Sequence, residues 1–242
     1  MTDNINNTLE NITNLQDIDE LSQQVEQHLS AYIKSKPSTR LGRSIPPLDK
    51  WHPEQVSDMD LTIKANGEWW HEGGQITRES LVRLFATILW KEDNNGATEY
   101  FLKTPVQKLR IQVEDVPLLI NDVGIVKEAA KNADKATLSW LEFTTTTGDV
   151  VRLDEDHPLI LRSYNSHATA NSHTQTSATT HNKSDAASLV RPYMLVRDGL
   201  MALIGRNTFY HLTEIGELLE RDGHTILMLQ SGGKNYELSM PE

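Results

Sequence analysis

At 242 residues, 38% hydrophobic and 24% charged, the chain has room for one large domain or two small ones and the composition of an ordinary soluble globular protein. Its formal net charge of −11 argues against broad binding to nucleic acid or anionic membranes, both of which need a basic surface, but leaves room for one local basic pocket. The absence of cysteine excludes disulfides, a thiol nucleophile and thiolate metal ligands.

No apolar run approaches the ~20 residues of a transmembrane helix. The polar start MTDNINNTLENITN lacks the cationic and apolar blocks of a secretory signal, so cytoplasmic residence is the expectation. Residues 1–16 have the composition of a disordered segment. From Asp17, the residues Ile18, Leu21, Val25, Leu29 and Ile33 recur at helical spacing, with Asp17, Asp19 and Glu20 at the start, where the helix dipole favours acids. This acidic helix either docks on the protein or a partner, or is a poorly anchored extension. Pro37, Pro46, Pro47 and Pro53 impose an extended linker, pinned by Trp51.

The first folded half opens near Asp58. Residues 60–64 alternate as a strand, Asn66-Gly67 makes a hairpin turn, and Trp69, Trp70 and His71 form the return strand. Only one of the two tryptophans can face the core. The three residues could wall a pocket, and a lone His71 is read as structural rather than catalytic. Thr77 caps a helix running to about Trp90 on the stripe Leu81, Leu84, Phe85, Ile88 and Leu89, ended by Asp93 to Gly96. Strands follow at 100–103, 106–114 and 118–123. Residues 127–135 form a polar loop or a single helical turn. A second half starts near Thr137, with strands at 138–143 and 150–153 around the turn Thr147-Gly148-Asp149. Residues 163–188 are a low-complexity insert with almost nothing to bury. Then come a strand at 192–196 and a short helix capped by Asp198 and carrying Leu200, Leu203 and Ile204. Residues 209–219 fit strand and helix equally. A hairpin at 226–238 turns on Ser231-Gly232-Gly233.

Two matches in the same order point to an internal duplication. Asn66-Gly67-Glu68-Trp69-Trp70 pairs with Thr147-Gly148-Asp149-Val150-Val151. Arg78-Glu79-Ser80-Leu81 to Phe85 pairs with Arg197-Asp198-Gly199-Leu200 to Ile204. The expected fold is therefore α+β in two related sheet-plus-helix halves. Residues 1–44 form an acidic extension, 45–135 the first repeat, and 136–242 the second repeat with the insert at 163–188.

The chain also resembles the bacterial domain-of-unknown-function family 1285 over about residues 45–240. The resemblance is carried by Gly67-Glu68-Trp69-Trp70-His71-Glu72-Gly73, by Arg78 to Phe85, by Thr104-Pro105-Val106, Lys108, Arg110-Ile111, Val113-Glu114-Asp115 and Pro117, and by Arg191-Pro192-Tyr193, Val196 to Leu200, Ala202-Leu203-Ile204 and Ser231-Gly232-Gly233. It implies a duplicated α+β core whose C-terminal half is similar to pleckstrin-homology-like domains. It also implies a site for a nucleotide-like ligand between the halves and a role in signalling. It brings no enzymatic activity.

The strongest constellation is the polar face of the strand at 106–114. Leu109, Ile111 and Val113 face one way; Lys108, Arg110, Gln112 and Glu114 face the other. Arg110 can fork onto a phosphate or carboxylate, Lys108 adds a point charge, Gln112 can read a base edge, and Glu114 can accept from a ligand. The alternative is a solvated face laced with weak ion pairs. Arg191, Tyr193 and Arg197 share one face of a second strand, suited to gripping an anion and stacking a ring. Ser231-Gly232-Gly233-Lys234 lacks the context of a phosphate loop. His167, His173 and His181 are too irregularly spaced for a structural metal site, and Asp154 to His157 has no second cluster to complete one. No nucleophile elbow, dinucleotide fingerprint or kinase set is present, so no metal or cofactor is expected. The expectation is a non-enzymatic binder of a small anionic or nucleotide-like ligand, with a regulatory role. The alternatives are a protein-interaction module, and a hydrolase or transferase using Glu114 or Asp115 with His71.

Overall fold

The structure, a computed structural model, describes residues 15–33, 45–129, 137–164 and 189–239. Of the segments expected to be disordered or loop, residues 1–14, 37–44, 130–135 and 165–188 lie outside the described residues, as do His167, His173 and His181. Within the described residues, Leu15 and Gln16 open a helix, 127–129 continue a strand instead of forming a loop or helical turn, and Ser163 and Tyr164, given to the insert, end a strand. The chain divides into two compact units. One is residues 1–117 with the short segments 147–149 and 198–200; the other is residues 118–146, 150–197 and 201–242.

In the first unit, α1 (Leu15–Ile33) precedes β1 (Gln55–Ile63), β2 (Trp69–His71) and β3 (Gly74–Gln75). Then come α2 (Glu79–Thr87), β4 (Leu89–Asn94), β5 (Ala97–Lys103) and β6 (Gln107–Val113). The sheet order is β3-β2-β1-β6-β5-β4. Neighbours are antiparallel except at its centre, where β1 runs parallel to β6. The Asn-Gly turn between β1 and β2 puts Gly67 at φ +85°, as the hairpin reading requires. Leu61, Ile63, Trp69, Leu102 and Leu109 are buried on one face of the sheet, Phe101 is buried on the other beside Lys108 and Arg110, and Phe85 of α2 is fully buried. Trp69 is buried while Trp70 is half-exposed and donates its indole N–H to Glu68. The acidic helix docks on its own unit: Ile18, Leu21 and Val25 of α1 are buried, and α1 packs on α2.

Helix α2 is shorter than the apolar stripe implied. It stops at Thr87, and Leu89 and Trp90 open β4. Asp93 to Gly96, expected to end a helix, are the β4–β5 hairpin, with Asn95 and Gly96 both at positive φ. A short apolar run satisfies both periods, and pairing with β5 decided it.

In the second unit, β7 (Leu118–Ala129), β8 (Thr137–Thr145), β9 (Val150–Arg152), β10 (Leu159–Tyr164), β11 (Leu189–Arg197) and β12 (Leu200–Ile204) form the sheet β10-β11-β12-β7-β8-β9. Here β12 runs parallel to β7. Then α3 (Arg206–Ile215) leads into a three-stranded sheet, β13 (Glu217–Arg221), β14 (His224–Ser231) and β15 (Lys234–Ser239).

Numbered from the start of each unit, both six-stranded sheets have the same order, 3-2-1-6-5-4. The duplication is therefore one of topology, and it differs from the residue matches that suggested it. The turns at Asn66-Gly67 and Gly148 are both hairpins, but they occupy successive positions in the scheme. Gly148 corresponds to the β2–β3 turn, where Glu72 and Gly73 have positive φ. The helix expected after Asp198 is absent. Asp198 and Gly199 sit at φ +47° and +74°, a hairpin turn, and Leu200, Ala202 and Ile204 are buried at period two along β12. The expected strand 118–123 belongs to β7 and pairs with β8 and β12. The compact units thus divide at 117/118 rather than at 135/136. The ambiguous stretch 209–219 lies mostly in α3, with Thr208 and Leu212 buried, and ends in β13.

The C-terminal hairpin is stitched to β8. Ser231 Oγ accepts the Leu141 N–H at 3.1 Å, and the Gly232 N–H donates to the Ser139 carbonyl at 2.8 Å. Gly232 has φ +60°, and a Cβ there would run into the Trp140 ring. Gly232→Ala is expected to destabilise the protein by about 2–4 kcal/mol, from left-handed strain plus overpacking, measured as a lower urea midpoint at unchanged slope.

Candidate functional site

Strand β6 carries the predicted polar face. Leu109 and Ile111 are buried, while Lys108, Arg110 and Gln112 lie on the other side and Glu114 follows the strand end. Every charge on this face is matched within the unit. Lys108 Nζ reaches both Glu92 carboxylate oxygens, at 2.8 and 2.7 Å, and lies 4.7 Å from the Phe101 ring centre. Burial pushes the Glu92 carboxyl up, but the hydrogen bonds from Lys108 and Trp90 outweigh it and hold the group below the usual carboxylate range. Arg110 bonds Asp58 at 2.8 Å and Glu99 at 2.9 Å. Glu114 accepts from Lys64 Nζ at 2.8 Å and from the Ala65 N–H at 3.0 Å. Gln112 is exposed. Nearby, Lys103 is buried with its Nζ 3.9 Å from the Trp90 ring centre; burial lowers its pKa, and the charge of Glu92 partly restores it.

On β11 of the second unit, Tyr193 is fully buried and the Arg162 guanidinium lies 4.4 Å from its ring. Arg191 stacks on Tyr164 at 3.6 Å, and Arg197 ends the strand, half-buried. Arg191, Tyr193 and Arg197 share one strand as expected. Tyr193, however, has no exposed face on which a ligand ring could stack. Asp154 accepts the N–H groups of Asp156 and His157 and contacts His157 Nδ1 at 2.7 Å, so this cluster is a turn built on one carboxylate. Among the described residues, no three His, Asp or Glu side chains converge to hold a metal ion.

A cavity lies elsewhere in the first unit. Where the chain leaves β3 for α2 there is a cavity of about 400 Å³, walled by Ile18 and Asp19 of α1, His71, Glu72, Arg78 and Leu81, with the edge of β3 between them. His71 is more than nine-tenths buried. Its Nδ1 lies 2.7 Å from the Asp60 carbonyl. A carbonyl only accepts, so Nδ1 carries the proton and Nε2 presents a lone pair in the neutral ring. Nε2 is buried and has no hydrogen-bond partner among the described residues. Arg78 precedes α2 and donates to Asp19 Oδ1 of α1 at 2.7 Å. No side chain caps the N-terminus of α2.

The fold defines a class: an α+β protein of two similar six-stranded halves, mostly sheet, with few helices. Family profiles described as domain of unknown function DUF1285, N-terminal domain, and protein of unknown function DUF1285, C-terminal domain, match residues 46–116 and 168–238. The crystal structure of a DUF1285 family protein from Silicibacter pomeroyi DSS-3 is 30% identical, with a TM-score of 0.59, over 87% of this chain and 94% of that one. A DUF1285 family protein from Shewanella baltica OS155 is 27% identical over 64% of this chain and 91% of that one, with a TM-score of 0.39. The chain belongs to the DUF1285 family. No curated protein matches it. Among the described residues, no helix is long and apolar enough to cross a membrane.

Lys64 first, and the Ala65 N–H after it, hold the Glu114 carboxyl below its usual range against partial burial. A carboxyl with a lowered pKa stabilises the fold above its unfolded-state value and loses that contribution as pH falls through its folded-state value. Glu114→Gln is expected to cost about 1 kcal/mol at pH 7, after screening of this part-exposed pair. The gap from the parent should close as pH drops below the ordinary glutamate range, seen in urea titrations at stepped pH.

Proposed function

We propose that the protein binds a small anionic ligand without transforming it, in a regulatory role, and that the site is the cavity beside His71. The observation that carries this reading is a cavity of about 400 Å³ whose wall includes His71, Arg78 and the residues that lead into α2. The volume lies near the lower end of the range, about 300–1,000 Å³, that holds small molecules. Arg78 and the uncapped start of α2 supply positive potential at the same place.

The β6 face supports binding less well. An anion there must displace Asp58 or Glu99 from Arg110, or Glu92 from Lys108. The hydrolase reading also weakens. A general base needs a carboxyl poised near neutral pH, and Glu114 is shifted the other way.

Thermal unfolding against nucleotides, dinucleotides and small carboxylates tests the proposal. A ligand at one hundred times its dissociation constant adds about 2.7 kcal/mol of stability. That gain is expected to vanish in His71→Phe and to survive in Arg110→Ala. The reverse pattern would return the site to the β6 face. A panel with no effect on the parent protein would favour the interaction module.

A further inference from the structure

We infer that α1 is a releasable strap: it leaves α2 while the sheet of the first unit stays folded, and the cavity beside His71 has its full wall only while α1 is docked. The first support is how narrowly α1 is held. Over residues 18–27, Ile18, Leu21, Ser22 and Val25 are buried and the other side chains are exposed. That is one thin stripe at helical spacing. From Phe85 to Leu89, by contrast, where α2 passes into β4, every side chain is buried.

The second support is the polar tie between the two helices. Arg78 reaches Asp19 at 2.7 Å, but the two side chains are 54% and 58% exposed. Exposed ion pairs of this kind contribute little. Ser22, although buried, donates its hydroxyl hydrogen within α1, to the Asp19 carbonyl.

The third support is the seam itself. Closely packed helices fill each other's grooves with side chains. Here two hollows share Asp19, Arg78 and Leu81 in their walls. One is the cavity of about 400 Å³; the other is a polar cleft of about 310 Å³ that also takes in Ser22 and Glu26 of α1 and Ser80 and Leu84 of α2. A surface that faces a hollow lacks van der Waals partners there. Segments held by few buried apolar contacts and exposed polar ties open locally at a lower free energy than the fold as a whole.

Opening has a defined consequence. Ile18 and Asp19 belong to the wall of the larger hollow, so release of α1 unroofs it and breaks the pair with Arg78. Resting on the ligand-binding reading of that cavity, an occupant that touches Ile18 or Asp19 prefers the docked form and holds α1 down, so that the position of α1 reports occupancy. The opening itself needs no ligand, and its test is therefore separate from the test of that reading.

The chain contains no cysteine, so a single introduced thiol is a clean reporter. In the full-length chain, Val25→Cys puts it on the buried stripe of α1, and Ala86→Cys puts it in the buried end of α2, at positions 1% and 0% exposed. Modification by a soluble aromatic disulfide is timed at several urea concentrations below the unfolding transition. Val25→Cys is expected to react more than about tenfold faster than Ala86→Cys. Its rate should also depend more weakly on urea, because releasing α1 exposes less surface than unfolding the unit. A smaller difference in rate, or the same urea slope at both positions, means that α1 leaves only when the unit unfolds, and overturns the inference. Should Ala86→Cys fail to fold, Thr87→Cys supplies the reference from the same buried run.

Discussion

The parallel pairing of β1 with β6 is the constraint on which the first unit rests. Antiparallel neighbours can be joined by two-residue turns; parallel neighbours cannot, because the chain must return to the starting end before pairing. The unit solves this by building two three-stranded pieces, β1–β3 and β4–β6, and welding them along β1 and β6. The return path is the segment from β3 through α2 to β4. The cavity lies where that path leaves the sheet, which is why β2, the edge of β3 and the first turn of α2 all contribute to it. The second unit repeats the weld with β7 and β12. Its corresponding path, 153–158, carries the Asp154 turn in place of a helix.

Much of the fold was legible because its signals are local. Alternation along β6, the Asn-Gly turn after β1 and the helical stripe of α1 each depend on neighbours a few residues apart. The Asp198-Gly199 pair was an equally local signal for a hairpin, and it was outweighed by a likeness to the start of α2. That likeness is a coincidence of two apolar patterns: Leu200, Ala202 and Ile204 count at period two, whereas Leu81 and Phe85 count at period four. The membership of β7 was not legible. Its partners, β8 and β12, lie on its C-terminal side, and nothing within 118–129 says which sheet will claim it.

The site was legible in its ingredients and not in their use. A row of Lys108, Arg110, Gln112 and Glu114 looks the same whether its charges are free or matched. The matching acids, Asp58 of β1, Glu92 of β4 and Glu99 of β5, lie at separations no spacing rule encodes. His71 posed the opposite problem. A single histidine beside two tryptophans carries no motif, and only the structure shows that the Asp60 carbonyl takes its Nδ1 and leaves Nε2 without a partner among the described residues. The one sequence cue was its strand position: with Trp69 facing the core, His71 two residues on had to share that face.

The pairing of β10 with β11 bears on how this family can diverge. Tyr164 and Leu189 sit directly opposite each other in the ladder, so the segment that joins them starts and ends at the same rung. Closing a connection of twice the length costs only about 0.6 kcal/mol more. Insertions and deletions at this point therefore leave the register of all six strands untouched, and the sheet places almost no selective pressure on how long the segment is. The β10–β11 connection is a natural port where relatives can gain or lose whole stretches of sequence, and where a reporter domain can be grafted without changing the strand register of this sheet.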